Sequence, residues 1–378
     1  MMWTIRRSRL ISALHLLDLI PEKVGLSSSE FLWIRGKGSK ITIAVASYIM
    51  GEVGINGDGK WEGEFFIDRR LFTPFVYASR ALKNKALFEF TFHKKQLTVK
   101  HGSRSAEFQS QQDIVGYGDL KRILKEKESV VPITDDVRAL LTCGQNCAVS
   151  DTMVPYLSCV YLRKGSAAIK AYAASDRVYY FGTGDPEKSK LKSSIPFPLQ
   201  MIRLLTETGL KSVNWIGKYV VLKFDRGVLW QPVSEAAIEK FPLREITKNA
   251  KKSETFPVSF TASSRRMSRI MLRLGYYLQG AQRKDWVVNV RGSKGDNLLQ
   301  VTTNLPGVRF KEWLPIVKHL PASLKVNWPL DSLEPVFGFL VSKTKKQGMV
   351  VRVDQKHGVS YITAGKYWLC VTSKQETN

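Results

Sequence analysis

The chain has 378 residues, 44% of them hydrophobic, and carries 58 Lys and Arg against 33 Asp and Glu, a net charge of +25. That length supplies more than one packed core, and no run of eighteen apolar residues occurs, which excludes a spanning helix. The charge calls for a polyanionic partner, nucleic acid before an anionic membrane surface.

The chain opens with "MMWTIRRSRLISALHLLDLIPEK". Basic residues ahead of leucines suggest a signal peptide. His15 and Asp18 interrupt the apolar run, however, and no small-residue cleavage site follows, so the segment reads as an amphipathic helix. Two charged, proline-bounded stretches, 124–134 and 246–260, read as linkers. They divide the chain into residues 1–127, 128–253 and 254–378. These hold 21, 18 and 19 basic residues against 13, 12 and 8 acidic ones. The excess is shared, so there is no neutral body with a basic tail.

Equal thirds invite a search for a repeat, and the thirds share a plan. Each opens with an amphipathic helix: "IRRSRLISALHLLDLI", "TDDVRALLTCGQNCAV" and "TASSRRMSRIMLRLGYYL". Thr134 and Thr261 are the expected N-caps, and Asp135 and Asp136 suit a first helical turn. Paired strands follow: "FLWIRGK" with "SKITIAVAS", "LSCVYLRK" with "SAAIKAYAAS", and "DWVVNVRG" with "DNLLQVTTN". A second helix comes next in each third: "IDRRLFTPFVYASRALK", "FPLQMIRLLTETGLK" and "RFKEWLPIVKHLPASL". Pro74 either starts or bends the first of these. Further strand pairs close each third: "ALFEFTFHKKQLTVKHG", "SVNWIGKYVVLKFDRG" and "EPVFGFLVS" with "QGMVVRVDQ". The expected fold is α+β, three repeated units, each with two helices packed on antiparallel sheets.

The four cysteines, Cys143, Cys147, Cys159 and Cys370, form neither a disulfide framework nor paired zinc-binding motifs, and read as reduced thiols of a cytoplasmic protein. The five histidines are scattered, and "GKGSK" at 36–40 lacks the spacing of a phosphate loop. Asp135 and Asp136 read as complements of a helix dipole before they read as a metal pair. No catalytic, metal or cofactor constellation emerges, so binding is expected in place of catalysis.

The cations themselves are patterned. Arg265, Arg269 and Arg273 stand at i, i+4 and i+8, with Arg266 beside them and Met267, Ile270, Met271, Leu274 and Leu278 largely opposite. Arg6, Arg7 and Arg9 mark the first helix. Arg69, Arg70, Arg80 and Lys83 mark the second, Arg138 and Arg203 the middle third, and Lys311 and Lys318 the last helix. No base-reading module accompanies them, so they suit phosphate contacts that position a duplex without reading it.

Short segments in order resemble the bacterial DNA polymerase III beta subunit, the replicative sliding clamp, over essentially the whole chain. They are "EFFIDRRLFTPFVYASRAL", "LTVKHGSRSAEF", "VPYLSCVYL", "AASDRVYYF", "IPFPLQMIRLL" and "EKFPLREI". In "AASDRVYYF" the family's Gly-His is missing, and its Met-Pro-x-Arg-Leu ending is absent from "YITAGKYWLCVTSKQETN". The resemblance implies a head-to-tail homodimeric ring around double-stranded DNA, with the basic helices and Tyr156 facing the duplex. It also implies a pocket for short peptides of a replicative polymerase and the clamp loader. Carried over residue by residue, that pocket comprises Leu157, Ser175, Asp176, Arg177, Val178, Pro242 and Ile246, with Ile362 and Thr363 from the final strand. The other readings are a non-ring, sequence-nonspecific DNA-binding or transcription-linked protein on a clamp-like fold, and a nucleic-acid-processing enzyme.

Overall fold

The computed structural model describes residues 2–21, 30–81, 87–93, 95–110, 128–131, 133–150, 154–165, 168–184, 191, 194–234, 237, 241–277, 287–305, 308–330, 333, 337 and 348–373. The chain begins with β1 (Met2–Arg6), α1 (Arg7–Asp18), β2 (Phe31–Ala46) and β3 (Met50–Asp68). Next come α2 (Arg69–Tyr77), β4 (Leu87–His93), β5 (Gln96–His101) and β6 (Arg104–Gln109). The middle holds β7 (Glu128–Val131), α3 (Asp135–Cys147), β8 (Cys159–Lys164), β9 (Ile169–Ala174) and β10 (Val178–Thr183). It continues with β11 (Ile195–Pro198), α4 (Leu199–Arg203), β12 (Leu210–Ile216), β13 (Tyr219–Phe224) and β14 (Gly227–Pro232). Then follow α5 (Leu243–Lys252), β15 (Val258–Ser263), α6 (Ser264–Tyr277), β16 (Val287–Gly292), β17 (Leu298–Leu305) and β18 (Val308–Pro315). After β19 (Leu324–Pro329), Leu330, Leu333 and Phe337 are helical, and β20 (Gly348–Asp354), β21 (Val359–Ala364) and β22 (Tyr367–Thr372) end the fold.

Two compact units result. The first comprises residues 1–131 and 204–233, the second residues 132–203 and 234–378. Unit 1 is built on a ten-stranded sheet in the order β6-β5-β4-β1-β3-β14-β13-β12-β7, with β2 paired to β3. Unit 2 has an eight-stranded sheet, β11-β8-β9-β10-β22-β21-β20-β15, and a four-stranded one, β18-β17-β16-β19. Every pairing among the described residues is antiparallel. The middle third of the chain is shared between the units, because β14 pairs with β3 and β10 pairs with β22.

In unit 1 the alternation of "LFEFTFH" buries Phe88, Phe90 and Phe92 on one face of β4. Trp61 stacks on Phe92 at 3.7 Å, Trp3 meets Phe90 edge-on at 5.3 Å, and Phe72 of α2 closes on Phe108. Leu10, Ala13, Leu14 and Leu17 of α1, at i, i+3, i+4 and i+7, are buried. Gly57 lets β1 approach β3, since a Cβ there would lie 2.3 Å from the Thr4 carbonyl. In unit 2, α3 lies on β8, β9 and β10, and the Tyr180 hydroxyl donates to the Leu140 carbonyl at 3.1 Å.

Several expectations need correction. Each repeat opens with a short strand before its helix, which the pattern of helices alone does not reveal. Thr261 therefore lies in β15, and Ser263 is the residue whose hydroxyl accepts from the Arg266 N–H, at 3.4 Å. Pro196 and Pro198 sit in β11, an edge strand that tolerates their missing donors, and the helix starts at Leu199. "FLWIRGK" and "SKITIAVAS" form one continuous strand, β2, paired along nearly its whole length with β3. Pro74 lies inside α2 and does not start it; Asp68 accepts the Arg70 N–H as the N-cap. "RFKEWLP" is strand β18, so Lys311 and Lys318 are not on a helix. The expected linker at 246–260 contains most of α5.

One buried group gives a pH signature. His101 is 2% exposed, its ring 4.3 Å from Phe88. Burial first, then the positive Arg7 and Arg104, holds its imidazole below the ordinary value. The unfolded chain takes up this proton near pH 6.5 and the folded chain does not, so this contribution weakens stability as pH falls through that value. Urea unfolding followed from pH 8 to 5 is expected to show that decline, and His101→Phe to flatten it.

Candidate nucleic-acid interface and partner pocket

α6 carries the clearest cationic face. Met267, Ile270, Met271 and Leu274 are completely buried, while Arg265, Arg266, Arg269 and Arg273 are exposed. Leu278 lies outside the described residues. Arg265 and Arg269 have no acidic partner among the described residues. Arg273 pairs with the Glu312 carboxylate, and Arg266 reaches the Trp313 carbonyl at 3.5 Å. The four arginines are thus unequal: two are uncompensated and one is largely neutralised.

The arginines of the first third divide further. Arg6 and Arg9 are exposed, but Arg7 is buried and donates to the Ser79 carbonyl at 2.6 Å. Arg69 is 5% exposed and donates to the carbonyls of Leu17 and Ile20, both at 3.0 Å, with Asp18 at 3.7 Å. Arg7 and Arg69 therefore hold the fold and do not face a duplex, contrary to the sequence reading. Arg70 is exposed and clasped by Asp68 at 3.0 Å. Arg80 follows α2 in the turn Ala78–Ala81, and Lys83 lies outside the described residues. Arg138 is partly buried in the first turns of α3, Arg203 is exposed at the end of α4, and Tyr156 packs edge-on to Phe241 at 6.2 Å. Asp136, beside Arg138, pairs with Lys366.

Sequence reading missed other exposed cations. Arg244, Lys248, Lys251 and Lys252 line one side of α5, a spacing of four, three and one that the linker reading obscured. Lys40, Lys211 and Arg226, with the half-buried Lys223, belong to strands and turns of unit 1, where no helical period announces them.

The pocket residues are not all brought together. Ser175 closes the turn, its hydroxyl accepting from the Val178 N–H at 3.0 Å, and Asp176 is exposed beside Arg177. Val178 and Ile362 are completely buried, on the sheet face that also carries Tyr180. Thr363 points to the opposite face with Trp368, where Ile246 of α5 packs against Tyr361, Trp368 and Cys370. Leu157 and Pro242 are half-buried. Moreover, Ile362 and Thr363 belong to β21, and the final strand, the one paired with β10, is β22.

That second face is rich in rings. Tyr161 lies 4.3 Å from Phe241, Tyr172 5.0 Å from Phe181, and Tyr361 5.0 Å from Trp368. Burial pushes the Tyr161 and Tyr361 hydroxyls far up and the Cys370 thiol up to about 11, so none is a nucleophile at neutral pH. All four cysteines are free and buried. Among the described residues no cluster of three or more His, Cys, Asp or Glu could hold a metal ion, and no helix is long and apolar enough to cross a membrane.

No protein-family model and no curated protein matches the chain. Solved structures do. The chain is similar to the DNA polymerase III subunit beta from Pseudomonas aeruginosa, with TM-score 0.77 and 15% identity, over 99% of this chain and 100% of that one. It is similar to the DNA polymerase sliding clamp from Caulobacter crescentus, with TM-score 0.79 and 13% identity, over 99% and 100%. A Pseudomonas aeruginosa sliding clamp bound to griselimycin matches at TM-score 0.75 and 13% identity, over 99% of both chains. The fold is therefore the α+β sliding-clamp fold along the whole chain, as the sequence segments implied.

Proposed function

We propose that the protein is a DNA polymerase processivity factor, a ring-shaped sliding clamp of two head-to-tail copies that encircles duplex DNA and tethers a polymerase. The observation that carries this reading is the full-length clamp fold combined with the exposed arginine face of α6. In this reading residues 1–127, 128–253 and 254–378 are three repeated domains in the cytoplasm, joined through shared sheets. Closure would use β6 of unit 1 and β18 of unit 2, two edge strands with one side unpaired among the described residues. Topological closure lets each phosphate contact stay weak and mobile, and the tether raises the effective concentration of polymerase at the primer end. The ring itself performs no chemistry, needs no cofactor and depends on a loader.

The peptide pocket is proposed around Leu157, Ser175 to Val178, Pro242, Ile246, Ile362 and Thr363. A clamp of this fold bound to griselimycin supports a ligand-accepting surface. Because Val178 and Ile362 are buried, the informative variants lie elsewhere. Leu157→Asp with Pro242→Glu, at half-buried positions, is expected to abolish stimulation of primer extension by a tethered polymerase while leaving DNA retention intact. Normal stimulation rejects this pocket.

A second reading, an open and sequence-nonspecific DNA binder, is favoured by one observation. The exposed cations of α5 lie over the sheet face opposite to α3, so positive charge is not confined to one side. Such a protein would hold linear and circular DNA equally.

A further inference from the structure

Unit 1 contains a cleft of about 920 Å³. Arg9 of α1, Lys40 of β2, Lys211 of β12, Lys223 of β13 and Arg226 of the β13–β14 turn line it, and Glu52 and Asp225 are its two carboxylates. Lys211 and Asp225 pair at 2.9 Å, and across the lining cations outnumber carboxylates by more than two to one. Part of the wall is bare backbone. The Gly54 N–H donates to the Arg226 carbonyl at 3.2 Å, just beyond the last β3–β14 pair. A Cβ on Gly54 would come within 2.8 Å of Lys40 Cε, so the lysine stem lies directly across the glycine.

We infer that this cleft binds the phosphates of a single nucleic-acid strand. Cations converging in a concavity repel one another and focus a positive field, whereas a surface kept only for solubility intersperses both signs. The volume is that of a small-ligand site, which admits one strand or a free polyphosphate and not a duplex. Phe224 is the one ring in the lining and is 8% exposed, so no stacking platform is offered and the backbone, not the bases, is what the cleft can hold. All the lining residues belong to unit 1, so the site does not depend on ring closure.

The test uses the full chain with two probes, a labelled oligothymidylate and inorganic tripolyphosphate. The variant is Lys40→Gln with Lys211→Gln and Arg226→Gln, all at exposed positions. Oligothymidylate affinity is expected to fall more than tenfold. The slope of log affinity against log salt is expected to become shallower by about 1.4, at about 0.7 for each phosphate neutralised by Lys40 and Arg226, because Asp225 already compensates Lys211. Tripolyphosphate is expected to displace the oligonucleotide from the wild type, and retention on circular duplex is expected to survive in the variant, which separates this site from the clamp reading. Tripolyphosphate binding that the variant loses, without oligothymidylate binding, upholds the phosphate site and overturns the strand as its source. Unchanged affinity of the variant for both probes overturns the inference.

Discussion

Arg265→Gln combined with Arg269→Gln is expected to weaken duplex DNA association about tenfold at low salt, and to flatten its salt dependence by about 1.8 log units of slope, about 0.9 for each phosphate no longer neutralised. Both arginines are exposed on α6 without an acidic partner among the described residues, while the opposite side of the helix is fully buried. The substitutions therefore remove charge and leave packing untouched. Adding Arg273→Gln is expected to change the slope little, because Glu312 already compensates that guanidinium. Titrations at several salt concentrations separate these outcomes, and an unchanged slope in the double variant removes α6 from the DNA surface.

The second large effect falls on stability. Arg69→Met is expected to destabilise unit 1 by about 1–3 kcal/mol, the scale for leaving a buried acceptor without its donor. The guanidinium serves the Leu17 and Ile20 carbonyls, at and just past the end of α1, where unpaired acceptors and the negative end of the helix dipole collect. Methionine fills the volume but leaves two buried acceptors without that donor. Arg70→Gln, next door, is expected to cost less than about 1 kcal/mol, because its pair with Asp68 is solvent-exposed. Denaturant unfolding measures both. DNA affinity per folded molecule is expected to be unchanged by Arg69→Met; a loss of DNA binding in a fully folded variant would restore Arg69 to the interface.

These neighbours show what sequence can and cannot reveal. Arg69 and Arg70 look alike as letters, and only the packing of α1 against α2 decides which one is buried. Where the signal was local, it was legible. Thr134 caps α3, accepting the Val137 N–H at 3.2 Å, and the alternating phenylalanines of β4 face the core. Where the answer depends on distant strands, it was not. "RFKEWLPIVKHL" spaces Phe310, Leu314 and Val317 as a helix would, yet Leu314 and Ile316 are buried while Val317 is 74% exposed, because β17 captures the segment as its partner. "ITKNAKK" reads as a charged linker, since a single buried apolar residue, Ile246, anchors α5 to its sheet. Motif order also places residues along the chain without saying which sheet face each occupies. That is why Val178 and Ile362 separate from Thr363 and Ile246, although all four occur in clamp-like segments.

Ring closure is a topological property, and topology is measured directly by retention on DNA. The protein is loaded on nicked circular plasmid with a clamp loader, filtered through a sizing column at high salt, and compared before and after the plasmid is cut once. A closed sliding ring predicts that protein stays with the circle and is lost once the DNA has ends. Equal retention on circle and linear DNA would contradict the ring and identify an ordinary basic DNA binder built on the clamp fold.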